Sequence, residues 1–202
     1  LIFLNTALDD YKQRKHSQHE GKTLSMSNVD QENEHRASYA LSQHFRCNVR
    51  KFKADDKFCK IDFVGCRLND EPLALFEFKK RGGNHNDAIY ARGLWLPETK
   101  LNGLIRYGIH ERKEQDLPYI ENLYYCWGFN DSLFYINILK SRAWLLEVIK
   151  TGTNYRLSHK GQNQHEWMFL VPQSNPHLLR IDHNSIDMPW RYGDSVYPWI
   201  SL

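Results

Sequence analysis

Between residues 59 and 81 the chain reads CKIDFVGCRLNDEPLALFEFKKR, two apolar runs of strand length around the polar turn Leu68-Asn69-Asp70-Glu71-Pro72. This pattern predicts a hairpin of strands 59–67 and 73–81. Upstream, Ser27 or Asn28 is placed to cap a helix reaching about Phe45, with Asp30 and Glu32 near its positive end. Ala37, Leu41, His44 and Phe45 recur at helical spacing and form its apolar face. A further strand is expected at 48–53, NVRKFK. Gly82-Gly83-Asn84 ends the third strand, and 85–96 has no decisive period. Pro97 then suits the first turn of a helix carrying Leu101, Leu104, Ile105 and Ile109. Tyr124–Phe129 and Leu133–Leu139 flank Asn130-Asp131-Ser132 as a second hairpin, and Trp167–Val171 reads as a strand. The tail from Pro172 is expected to be irregular but packed, and residues 1–26 to form an arm or a short helix. Helix, three strands, helix and more strands describe an α/β (α+β) domain with a mixed sheet flanked by helices.

The length of 202 residues suits one sizeable domain, and an apolar share of 41% can fill its core. A formal charge of +3 permits nucleic-acid binding without requiring it, so local clusters matter more than the total. No run approaches the ~20 apolar residues of a membrane span. The opening Leu-Ile-Phe-Leu lacks a basic leader, so no signal peptide is expected and the expected location is cytoplasmic. Cys47, Cys59, Cys66 and Cys126 show no C-x-x-C spacing and read as reduced thiols.

Three charged residues interrupt the hairpin's apolar runs. Asp62 lies between Ile61 and Phe63, while Glu77 and Lys79 alternate with Phe76 and Phe78 and so share one face. Burying such groups costs several kcal/mol unless they are paired or bind a metal. Two acids and a lysine at adjacent strand ends point to a divalent-metal site for phosphodiester hydrolysis. Asp62 and Glu77, with a backbone carbonyl near Phe78, offer the hard oxygens that Mg²⁺ prefers. Lys79 is placed to orient a water or to stabilise charge on phosphate. At ~100° per residue, Glu34 falls on the Ala37–Leu41 stripe and can support the metal through water. Glu32 falls opposite, towards solvent.

This arrangement resembles the PD-(D/E)XK nuclease superfamily, on Glu34, Asp62, Glu77 and Lys79, with fourteen residues between Asp62 and Glu77. The likeness spans about residues 27–112. It implies a restriction-endonuclease-like core over 27–140, with 1–26 as an arm and 141–202 as a C-terminal extension packed on it, a single domain overall. It also implies Mg²⁺-dependent cleavage, with Mn²⁺ able to substitute, of DNA (RNA not excluded), by an endonuclease that can act as a homodimer or in a larger complex. Ile61 stands where the motif's proline usually does. The Gln-x-x-x-Tyr motif of exonuclease-like members is matched only by Asn86-Asp87-Ala88-Ile89-Tyr90.

Further cationic and aromatic residues divide between two readings. Lys80 and Arg81 beside Gly82-Gly83 can grip phosphate or form a solvated strand end. Arg50 and Lys51, with Arg46 and Lys53, can track a nucleic-acid backbone or protect an edge strand. Tyr90 and Arg92, with His85, are candidates for lining a groove. His159, His165 and Glu166 read as surface or hairpin residues, and the six tryptophans read as packing residues. The competing functional class is a nuclease-fold protein without turnover, acting as a nucleic-acid-binding or scaffold subunit.

Overall fold

The computed structural model describes residues 28–52, 61–120, 122–159 and 165–182. The expected arm over 1–26, Lys53, Cys59 and the tail beyond 182 lie outside the described residues. Helix α1 (Asn28–Phe45) leads into an antiparallel meander of β1 (Asn48–Lys51), β2 (Phe63–Cys66) and β3 (Pro72–Lys80). β4 (Leu94–Pro97) and α2 (Glu98–Ile105) follow. The α2 helix continues through one π turn, Arg106–His110, into α3 (Glu111–Glu114). β5 (Asn122–Gly128) returns parallel to β3 and forms a hairpin with β6 (Ser132–Asn137). α4 (Arg142–Thr151), β7 (Tyr155–His159), β8 (His165–Val171) and β9 (Leu178–Asp182) complete the described chain.

The main sheet is mixed and six-stranded, in the order β1-β2-β3-β5-β6-β9, and β4-β8-β7 form a second, antiparallel sheet. Alternation along the strands divides the core between the two faces of the main sheet. On one face Phe63, Phe76, Tyr124, Cys126 and Ile181 pack with Ala37 and Leu41 of α1. On the other, Leu75, Tyr125 and Trp127 meet Leu101 and Leu104 of α2, Leu96 and Phe169 of the small sheet, and Leu145 and Val148 of α4. The protein is therefore mixed α/β, with a mixed central sheet flanked by helices. Gly128 is a close-approach position: a Cβ there would lie 2.6 Å from Phe78 Cε2, so the ring crosses β5 only because that side chain is missing.

Several expectations are corrected. The segment after Pro172 is not wholly irregular, because β9 pairs with β6 and adds an edge strand to the main sheet. The indecisive stretch 85–96 ends in β4, and the sequence reading missed α4 and β7. Pro97 ends β4 and caps α2 in an extended conformation, outside the first turn. Cys47, Cys66 and Cys126 carry free thiols. No helix among the described residues is long and apolar enough to cross a membrane.

Candidate functional site

Asp62 stands one residue before β2, and its N–H donates to Phe76 O at 3.1 Å. Phe76 is already the register partner of Phe63, so this bond is offset by one residue from the ladder, and Asp62 comes close enough to Glu77 for its charge to act on that carboxyl. Both carboxylates lie within reach of the Lys100 and Lys51 charges, so they belong to one cluster. Asp62 Oδ2 accepts the Phe78 N–H at 2.7 Å, which fixes the side chain. Phe78 thus contributes an N–H donor to Asp62. Glu77 is 3% exposed. Its Oε1 is ion-paired with Lys100 Nζ, and its Oε2 is buried without a hydrogen-bond partner.

The two acids are electrostatically poised. Burial pushes the Glu77 carboxyl up to about 8, helped by the Asp62 charge and opposed by Lys100. Burial also raises Asp62, against the pull of the Phe78 N–H and of Lys100 and Lys51. For Lys100, burial lowers the ammonium, but the Glu77 and Asp62 charges outweigh it and the net direction is up. Buried acids with raised pKa values on opposed strand ends are the kind of perturbation that marks functional sites.

Lys79 shares the Glu77 face of β3 but is exposed, and its side chain makes no ion pair or hydrogen bond among the described residues. The lysine on Glu77 is Lys100, at the start of α2, which the sequence reading did not select. No local signal marks it, because its contact with Glu77 depends on how the helix between β3 and parallel β5 is laid across the sheet. Thr99 and Glu166 were also missed. Thr99 Oγ1 donates to Glu166, and the Glu166 charge helps to raise Lys100. Glu166 is half-buried and part of this cluster, and of the two expectations for it the hairpin holds, since it pairs with Ser158 across β7 and β8.

Glu34 is half-buried on α1 and ion-paired with Lys51, while Glu32 is exposed and paired with Arg36. The charges of both Glu34 and Lys51 reach Asp62. Glu34→Ala is therefore expected to shift the Asp62 titration and to weaken any activity of the site, and Glu32→Ala to leave both unchanged. NMR titration of the Asp62 carboxyl in both variants checks this; equal shifts would remove Glu34 from the site.

The cationic candidates spread over several surroundings. Arg50 pairs with Asp70 at 3.1 Å. Lys80 Nζ donates to Asn130 Oδ1 at 3.0 Å on the opposite face of β3, and burial and the Arg36 charge lower its pKa. Arg81 returns to the Glu77 face and donates to Trp95 O at 3.2 Å. Tyr90 packs edge-on against Phe129 and donates from its hydroxyl to Gly82 O at 2.9 Å, holding the turn after β3. Arg92 is exposed at the rim of a cavity beside β4. His85 Nδ1 lies 2.7 Å from Asp131 Oδ2, and its Nε2 lies 2.8 Å from Arg180. With Arg180 donating to Nε2, the proton belongs on Nδ1. Among the described residues no group of three or more His, Cys, Asp or Glu is arranged to hold a metal. No family model, curated protein or solved structure matches the chain.

Proposed function

We propose that the chain is a metal-dependent nuclease with a restriction-endonuclease-like core, hydrolysing phosphodiester bonds of DNA. The observation that carries this reading is the buried, unpartnered Glu77 Oε2 on the strand facing Asp62. An orphaned carboxylate oxygen inside a sheet is costly, and a hard cation relieves that cost. Two carboxylates suit Mg²⁺, which commonly binds through one or two acids and keeps several waters.

In this reading Asp62 and Glu77 hold the metal, with Asp62 oriented by the Phe78 N–H. Bound there, Mg²⁺ would acidify a water and neutralise charge on the scissile phosphate. Lys100, fixed on Glu77 Oε1, orients that water or stabilises the charge that develops on phosphate. Lys79, exposed on the same face, meets the phosphate backbone. Glu34 acts on Asp62 from a distance, through Lys51 and its own charge.

The direct test incubates plasmid and a labelled duplex with the purified protein. Cleavage is expected with Mg²⁺ or Mn²⁺, not with chelator, and little with Ca²⁺, whose coordination is looser. Undiminished cleavage in chelator, scaling with protein, would reject the mechanism. One observation favours the second reading, a nuclease-fold protein that binds without turnover: Lys100 on Glu77 Oε1 and Lys51 on Glu34 each give an acid an ammonium partner in place of a metal ion. DNA binding with no cleavage under either metal supports that alternative.

A further inference from the structure

The small sheet has an outer face that the acids do not use. Trp95 of β4 is registered with Leu170 of β8, and Arg156 of β7 with Met168 of β8. These side chains therefore stand on one face, turned away from the core that takes Leu96 and Phe169. The Arg156 guanidinium lies over the Trp95 indole, with Cζ 4.1 Å from the ring centroid. Beside this pair opens a cavity of about 390 Å³, lined also by Arg92, Ile89, Tyr155 and Leu170. Gly93 lets the chain turn into β4 here: its φ is +125°, and a Cβ would lie 2.4 Å from Val171 O. No other residue fits that turn.

The charge in this cavity is one-sided. No carboxylate lines it, and neither Arg92 nor Arg156 is paired with an acid among the described residues. Two guanidinium forks without counter-charges favour an oxyanion, and their planar donors match phosphate. The indole and the apolar side chains of Ile89 and Leu170 favour a flat, largely apolar group attached to that anion. The volume falls within the range of small-molecule pockets.

We propose that this cavity is a nucleotide-binding site, taking a nucleoside monophosphate unit with its base against Trp95 and its phosphate on Arg92 and Arg156. Aromatic stacking and cationic contacts of this kind hold single strands with little regard to sequence. The wall of the cavity is also tied to β3. Trp95 O accepts both the Arg81 guanidinium at 3.2 Å and the Trp127 indole N–H at 2.9 Å. Glu77, Lys79 and Arg81 alternate onto one face of that strand, and four residues of strand span roughly 13 Å. A single strand passing over Lys79 and Arg81 thus reaches the cavity a few nucleotides from the acids. This placement of a strand rests on the nuclease reading; the nucleotide site does not.

The test is equilibrium binding in chelator, so that nothing is cut. Calorimetry with AMP is expected to show one site per chain, with adenosine and inorganic phosphate each at least about tenfold weaker. Arg92→Gln alters an exposed residue and is expected to weaken AMP at least about tenfold. Arg156→Gln should do likewise, with melting curves confirming the fold. A fluorescent single-stranded oligonucleotide separates the two sources of the ligand. If Arg92→Gln weakens both probes, the cavity holds a nucleotide of a strand. If it weakens AMP alone, the cavity takes the free nucleotide and the strand path is lost. AMP that fails to bind, or binds equally to both variants, overturns the site. Cleavage under Mn²⁺ is measured separately. A protein that binds AMP through Arg92 yet cuts nothing keeps the cavity and loses the nuclease. One that cuts, but binds AMP equally with and without Arg92, does the reverse.

Discussion

Lys100→Ala is expected to slow single-turnover DNA cleavage by ~10²-fold or more, the scale for losing a positioned charge-stabilising or proton-handling group. Lys79→Ala is expected to change it by less than about threefold, the scale of one exposed phosphate contact. The difference follows from position. Lys100 is ion-paired with Glu77 Oε1 and drawn by the charges of both acids, whereas the Lys79 side chain is exposed and unanchored among the described residues. A catalytic cation must be held in place before the reaction, because ordering it during the reaction adds to the barrier. Metal affinity should stay the same or rise in Lys100→Ala, since a positive charge beside the ligands is gone. Folding must be controlled, because removing one partner of a buried pair is destabilising. Lys100→Met keeps the aliphatic stem and limits that loss. Rates for both variants are to be read at a temperature where melting curves show full folding. If Lys79→Ala is the slow variant and Lys100→Met cuts normally, Lys100 is only the structural partner of Glu77.

The sequence made the hairpin legible because an alternating apolar pattern and a polar turn are local signals. Asp62 and Glu77 at neighbouring strand ends follow from that hairpin, and the helical phase alone distinguished Glu34 from Glu32. Lys100 was not legible, because its contact depends on how the crossover from β3 to parallel β5 lays α2 across the acids. Nothing within a few residues of Lys100 encodes that. Glu166 was hidden for the same reason, since its partner Thr99 is 67 residues away. β9 was obscured by the Pro172–Pro176 segment before it and by exposed Leu179 within it, which blur the alternation. The Trp95–Arg156 pair joins two edge strands through β8, so no spacing in the chain could have found it.

The apo protein is expected to lose stability as pH rises from about 5 to 8, and saturating Mn²⁺ to reverse that loss. Glu77 titrates near 8 when folded, against an ordinary value of 4.5. Between those values the folded state holds a proton that the unfolded state has released. Stability from the neutral carboxyl is therefore fully present below about 4.5, and it is lost as pH climbs through about 8. The slope is at most about 1.4 kcal/mol per pH unit for one such group. Asp62, also raised by burial, adds in the same direction at the acidic end. Lys100 acts outside this window, because its pKa is raised above 10.5. A metal competes with the proton on Glu77, so the apparent Mn²⁺ affinity should rise about tenfold per unit up to about pH 8 and then level off. Binding at pH 7 should release close to one proton, seen as a buffer-dependent heat. Glu77→Gln should flatten the stability slope, abolish the proton release and weaken Mn²⁺ at least ~10²-fold, the scale for losing a ligating carboxylate. Urea unfolding at pH 5, 6, 7 and 8, with chelator and with Mn²⁺, measures the first effect, and calorimetry in two buffers measures the others. If Mn²⁺ leaves the stability curve of the native chain unchanged at pH 8, Asp62 and Glu77 are a proton-sharing structural pair and not a metal site.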